Sequence, residues 1–262
     1  MSIDKQVYAT QVDQIKIYFK TLVRNFWNEK RLGIFVSTIV IPLLITLVAG
    51  EELFHTESAF GYVYISNDTT TGGFAFICAC LWIGLFNSSQ KICKDRPSID
   101  AEYRSGQSMG AYTAAQMIFE VILCLVETAI LSTIAIINYG DNAPATKWIG
   151  IVITFFFVIY SADILGLLIS AISKNAEKSM TIMPFILISQ LVLAGCIFEL
   201  EGVTDTMAYL TISKWGYEAI LSICGSDDVT FYIVCWLCMI LFIAVYGFLT
   251  RAALKILHFD HR

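Results

Sequence analysis

The sequence predicts an all-α membrane protein with six transmembrane helices and cytoplasmic N and C termini. Three observations carry that prediction. Hydrophobic residues make up 57% of the 262 residues and charged residues only 15%, whereas a soluble domain carries about a quarter charged. The mean hydropathy is +0.69, and the apolar residues fall in runs long enough for a helix of about 20 residues, which crosses about 30 Å of hydrocarbon. All but two of the 17 lysines and arginines fall in segments that the runs place on one side of a membrane.

The first element precedes the spans. Val12, Ile15, Phe19, Leu22 and Phe26 recur at helical steps, while Asp13, Gln14, Lys16, Lys20 and Arg24 take the remaining faces. This predicts an amphipathic N-terminal helix, suited to the cytoplasmic membrane surface or to a partner. The first span runs from about Leu32 to Ala49, with Pro42 tolerated as a kink. The second, from about Gly73 to Ser89, has polar last turns. The others cover about Tyr112 to Ile137, Trp148 to Ile172, Met180 to Phe198 and Val229 to Leu249. Backbone groups cannot stay unpaired in lipid, so these runs are helices. Between the fifth and sixth spans, Met207 to Cys224 is too apolar for a solvated loop and too short to cross. A re-entrant or interfacial helix pair on the outer face is expected there. The chain thus divides into a cytoplasmic arm at 1–31, a transmembrane domain at 32–253 and a cytoplasmic tail at 254–262.

Orientation follows from the cations. Lys5, Lys16, Lys20, Arg24, Lys30 and Arg31 lie in the arm, and Lys91, Lys94, Arg96 and Arg104 follow the second span. Lys174 and Lys178 follow the fourth span, and Arg251, Lys255 and Arg262 follow the sixth. Only Lys147 and Lys214 fall on the other side, so the crowded side is cytoplasmic. The opposite loops are acidic, with Glu51, Glu52, Glu57, Asp68, Glu199, Glu201, Asp205, Asp227 and Asp228. A multi-pass protein of the plasma membrane is expected, without a cleavable signal in Met1 to Arg31.

Catalytic and metal motifs do not occur in this sequence. It holds no Gly-x-x-x-x-Gly-Lys phosphate loop and no His-Glu-x-x-His. Cys78, Cys80, Cys124, Cys235 and Cys238 lie in apolar runs and act as small hydrophobes, while Cys196 and Cys224 fall near the outer face, where one disulfide is conceivable. His258 and His261 sit in the tail. No cofactor, metal or nucleic acid is expected on this chain, and no enzymatic activity of its own. The polar candidates are three carboxylates within the spans, Glu120, Glu127 and Asp163, either a polar relay or substrate contact, or protonated and hydrogen-bonded carboxyls that fix helix packing. Glu120 lies near the cytoplasmic end, within reach of a basic partner there.

The segment after the second span reads Lys94-Asp95-Arg96-Pro97-Ser98-Ile99-Asp100-Ala101-Glu102-Tyr103-Arg104-Ser105-Gly106, with Tyr112 opening the third span. It resembles the first intracellular loop of the type-2 ABC exporter permeases, particularly the G-subfamily half-transporters. The acidic–basic pair Asp95-Arg96, then Glu102, Ser105-Gly106 and Tyr112 stand at matching places, and Glu120 matches an acidic position of the third span. The Val12–Phe26 stretch is similar to the family's connecting helix, and Leu193-Ala194-Gly195-Cys196-Ile197 to the end of its fifth span. Thr211 to Ile220 resembles an external Ser-x-x-Arg-Tyr-Gly-Phe-Glu-Ala-Leu stretch, with Lys214 for the basic residue and Trp215 in place of Tyr. Gln116 stands where the family often has Lys.

The resemblance implies a permease subunit of an ATP-driven exporter, without the nucleotide-binding domain that the half-transporters fuse ahead of the connecting helix. A cytoplasmic ABC ATPase would then carry ATP and Mg, whether as a separate chain or as a removed fusion domain. Two copies, or this chain and a similar permease, would enclose a substrate cavity within membrane lipid. A coupling segment with Asp95, Arg96, Glu102, Tyr103, Arg104 and Gly106 would dock on the ATPase. Substrate-lining places correspond to Cys80, Ile83, Ile188 and Leu191, with Ile197 near an external plug. The rivals are an ATPase-independent six-helix secondary carrier or channel, and a non-transporting membrane anchor or immunity protein.

Overall fold

The computed structural model describes residues 10–28, 34–49, 56–59, 62–65, 67–104, 108–198, 201–225 and 229–259. Ten α-helices account for nearly all of them. In chain order these are α1 (Gln11–Asn28), α2 (Ile34–Ala49), α3 (Asn67–Ser88), α4 (Lys91–Arg104), α5 (Met109–Tyr139), α6 (Ala145–Ile172), α7 (Ala176–Val192), α8 (Val203–Ala208), α9 (Ile212–Cys224) and α10 (Val229–Phe259). One antiparallel hairpin, β1 (Thr56–Ala59) and β2 (Tyr62–Ile65), lies between α2 and α3. It is the exception to an all-helical expectation.

Among the described residues, four stretches are long and apolar enough to cross a membrane: Thr70–Ile99, Met109–Tyr139, Ala145–Ile172 and Val229–Ile256. The first joins α3 to α4 through Ser89 and Gln90, so the second predicted span continues into the segment assigned to a loop. Helices α2 and α7 stand at the first and fifth predicted places but have only 16 and 17 residues. The α7 helix stops at Val192, and Gly195 follows at φ 81, a left-handed conformation that disfavours side chains with a Cβ.

The core forms where α6 meets α3, α5, α9 and α10. Phe76, Leu81 and Leu85 from α3, Leu131 from α5, Phe155 and Ile159 from α6, Ile220 from α9 and Met239 from α10 share one buried cluster. Close approach requires small residues at the α3–α6 crossing. A Cβ on Gly84 would lie 2.6 Å from the Ile159 carbonyl oxygen and 3.0 Å from the Asp163 nitrogen. A Cβ on Gly166 would run into the Ser88 hydroxyl. Tight contact between backbones replaces the hydrophobic driving force that helices lose once they are already in lipid.

A second cluster holds α1 against α5. Tyr18 meets Tyr112 edge-on at 5.5 Å between centroids, and Phe19 and Phe26 meet Phe119 at 6.4 and 5.9 Å. Gln14 of α1 accepts a hydrogen bond from the Ser108 amide at the start of α5, one of the donors that a helix start leaves unpaired. The inward stripe keeps Ile15, Phe19, Leu22 and Phe26 of the predicted one, loses Val12, and takes in Tyr18 along with Gln14, the latter put on the polar faces by the sequence. Val12 is 59% exposed, and Tyr18 is buried, because a phenol ring reaches the Tyr112 edge across the α1–α5 gap. Lys16, Lys20 and Arg24 face outward.

At the other end of the bundle, α8 and α9 form the expected pair of short helices. Gln190 of α7 caps α9, its side-chain oxygen accepting from the Ile212 and Ser213 amides at 2.8 and 3.3 Å. Lys147 donates to the Cys224 carbonyl at 2.8 Å, a cation at the negative end of α9. Lys214 pairs with Asp205 at 3.2 Å and Glu218 at 3.5 Å and stands 4.2 Å over the Tyr209 ring. Burial pulls its pKa down, but the Asp205 hydrogen bond and the Glu218 charge outweigh that and leave it raised. None of the eight cysteines is assigned to a disulfide. A Cys196–Cys224 bridge does not form, since Cys224 is buried at the end of α9 while Cys196 lies beyond the turn that closes α7.

A polar ladder and a riveted helix

Two rungs connect the α3–α4 rod to α5. Asn87 and Lys91, one helical turn apart, face Glu127 and Glu120, two turns apart. The Asn87 amide donates to Glu127 Oε1 at 2.7 Å, and the Lys91 ammonium donates to Glu120 Oε2 at 2.5 Å. Gln116 completes the second rung by donating to Glu120 Oε1 at 2.7 Å. Lys91 and Glu120 are 6% and 1% exposed at their side chains. A pair so far from water holds only because each charge neutralises the other and each oxygen of Glu120 has a donor. Glu120 therefore reaches the basic partner expected of it. That partner, Lys91, is a residue the sequence reading placed in a charged loop rather than in the interior. Asp163 comes to the same region from α6, 1% exposed and in the electrostatic field of Glu127, Glu120 and Lys91.

Helix α4 is bound to the end of α6 by a second set of contacts. Arg96 donates to the Ala171 and Ser173 carbonyls, both at 2.8 Å. These are among the acceptors that a helix end leaves without internal partners, and the cation also suits the negative pole there. The Cys93 amide donates to the Ser170 hydroxyl at 3.0 Å, and the Cys93 thiol reaches the Ser170 carbonyl at 2.9 Å. Ser179 of α7 donates to the Ser89 carbonyl at the α3–α4 junction. The outer face of α4 is open along Lys94, Pro97, Ser98, Ala101 and Arg104.

The predicted coupling residues thus separate. Arg104 is on the open face, Arg96 is spent on α6, and Asp95 is half-buried, lining a small cavity between α1, α4 and α5. The side chains of Glu102 and Tyr103 and the whole of Gly106 lie outside the described residues. The predicted lining residues separate as well. Cys80 and Ile83 are fully buried in the chain's own core, whereas Ile188 and Ile197 are 57% and 52% exposed, and Leu191 is partly buried against the core. On α3 the exposed large apolar side chains are instead Trp82 and Phe86, their rings stacked at 6.3 Å, with Cys78 half-buried one turn before them. Those rings escaped the sequence reading because the resemblance indicated neighbouring positions; the 3.6-residue period through Trp82 and Phe86 was the available signal. An apolar groove of about 500 Å³ between the ends of α5 and α6, lined by Ile136, Trp148, Ile149 and Val152 among others, holds none of the predicted residues. Among the described residues no group of histidine, cysteine or carboxylate side chains is placed to hold a metal ion.

Residues 13–224 match the family described as ABC-2 type transporter. An ABC transporter ATP-binding/permease protein of Mycobacterium tuberculosis is 24% identical over 146 residues, which is 53% of this chain and 17% of that protein. The chain therefore spans only a small part of that relative's length.

Proposed function

The chain belongs to the ABC-2 type transporter family, and from that premise we propose that it is the permease subunit of an ATP-driven exporter, moved by a partner ATPase. Membership makes it an integral, multi-pass component of an ABC transporter. The proposal adds a nucleotide-binding partner at the α1–α4 end, which carries ATP and Mg, and a second permease copy across a substrate pathway. It also takes α2 and α7 as the two spans that complete six, with the basic α1–α4 end in the cytoplasm.

The observation that carries the reading is the construction of α4. One side is fastened to α5 through Lys91 and to α6 through Cys93 and Arg96, and the other presents Lys94, Ser98 and Arg104. A push on that open side moves the long core helices as a unit, which suits conversion of ATPase closure into a rigid-body change of the bundle. Trp82 and Phe86 of α3 and Ile188 of α7 are among the exposed apolar side chains on the two helices the resemblance places at the pathway, which suits a hydrophobic or lipid-like cargo. Affinity purification in mild detergent tests the reading. An ATPase with a phosphate-binding loop that co-purifies in stoichiometric amount supports it, whereas a stable chain with no such partner favours an ATPase-independent carrier or channel.

A further inference from the structure

Three carboxylates and one ammonium share the interior between α3, α4, α5 and α6, each no more than 5% exposed: Glu120, Glu127, Asp163 and Lys91. Hydrogen bonding accounts for only part of this set. Lys91 and Gln116 occupy both oxygens of Glu120, and Asn87 occupies one oxygen of Glu127. Glu127 Oε2, Gln116 Oε1 and both oxygens of Asp163 have no hydrogen-bond partner among the described residues. Asp163 interacts electrostatically with Glu120, Glu127 and Cys124 on α5, Lys91 on α4 and Tyr160 on α6 itself, while on α3 the neutral Asn87 bonds Glu127 and Cys80 interacts with Cys124. One cation thus stands among three acids, and Asp163 of α6 has no hydrogen-bond donor among the described residues.

A carboxylate in that setting cannot remain ionised without a large desolvation cost, whereas a carboxylic acid is neutral and brings its own donor. A water-sized space also lies beside the group that holds Glu120. The cavity between α1, α4 and α5 has a volume of about 20 Å³, room for one water, and Asn25, Asp95, Lys91 and Gln116 are the polar residues that line it. Lys91 and Gln116 are the two groups that hold Glu120 on the far side.

We propose that Asp163 is a proton-binding site of the bundle, loaded from the α1–α4 end through the water-sized cavity and the Lys91–Gln116–Glu120 group. Uptake breaks one O–H bond of a hydronium ion and forms one on the Asp163 carboxylate, with no redox change. The site requires only this chain, so its test is separate from that of the partner ATPase.

The test is infrared spectroscopy of the purified full chain in lipid nanodiscs at neutral pH. A carboxylic-acid C=O band that shifts in heavy water and disappears in D163N, but persists in E127Q, is the expected result. Aspartate-selective ¹³C labelling of the wild type must shift the same band, which preserves the test should D163N fold poorly. Q116L is expected to slow the heavy-water shift of that band several-fold. A spectrum unchanged in D163N and by the aspartate label would overturn the proposal, as would a band that disappears in E127Q alone. Exchange as fast in Q116L as in the wild type would overturn the route.

Discussion

The guanidinium of Arg96 donates to the Ser173 carbonyl at 2.8 Å, and so ties the middle of α4 to the last turn of α6 across 77 residues of sequence. The same nitrogen serves Ala171. An arginine that the sequence context assigns to partner docking is thereby committed to the inside of the chain. What α4 offers a partner is its opposite face.

Arg96→Ala is expected to lower stability by about 1.5–3 kcal/mol, the usual range for hydrogen bonds that involve a charged group, while the chain still captures its ATPase. Arg96→Lys should recover only part of the loss, because a point ammonium lacks the planar fork. Thermal unfolding in detergent, run beside the capture assay, checks both. Full stability with lost capture would return Arg96 to the docking surface.

Lys91 and Glu120 are expected to be strongly coupled. Lys91→Met alone leaves a buried carboxylate without its cation, at a cost of about 3–5 kcal/mol. The double change to Met and Gln removes both charges and should cost clearly less than the sum of the single changes. A double-mutant cycle on unfolding measures this; additive effects would mean that the pair is not formed.

Gly84→Ala should destabilise by about 1–3 kcal/mol, the range for overpacking a tight contact, since its Cβ meets the Ile159 carbonyl and the Ala162 methyl at 2.6 and 2.8 Å. Gly202 gives a contrast with φ 61 and no atom within 4 Å of a Cβ, so any cost of Gly202→Ala is conformational alone. Unfolding midpoints of the two variants separate crowding from strain.

Trp82→Ala with Phe86→Ala should change transport or substrate-stimulated ATP hydrolysis with little loss of stability, as expected for exposed rings on α3. Cys80→Leu should do the reverse, for its site is fully buried. A stability screen combined with an activity assay on the reconstituted complex distinguishes them.

Much of this architecture was legible because hydrophobic length and charge placement are one-dimensional signals. Runs such as Trp148 to Ile172 announce a buried helix by composition alone, and the Ile15–Phe26 stripe announces α1 by its period. The junction at Ser89 and Gln90 was not legible, because the polar residues after it read as a loop until their partners on α5 and α6 are known. Lys91 counts as a loop cation in the sequence; only Glu120, 29 residues on, makes it an interior one. Tyr18 joined the stripe and Val12 left it for a similar reason, since a tyrosine is buried or exposed according to what stands opposite. Cys80 and Ile83 show the limit of a family resemblance, which indicates the helix and its level but not its rotation.

The most direct measurement is quantitative capture of the partner ATPase by the wild-type chain and by the Glu102→Ala, Arg104→Ala double variant, purified side by side in mild detergent. The account predicts a stable complex with the wild type and at least an order of magnitude less ATPase with the variant, at equal yield and unfolding midpoint of the chain. A wild-type chain that purifies intact, alone or as a dimer, without any nucleotide-binding partner would contradict it.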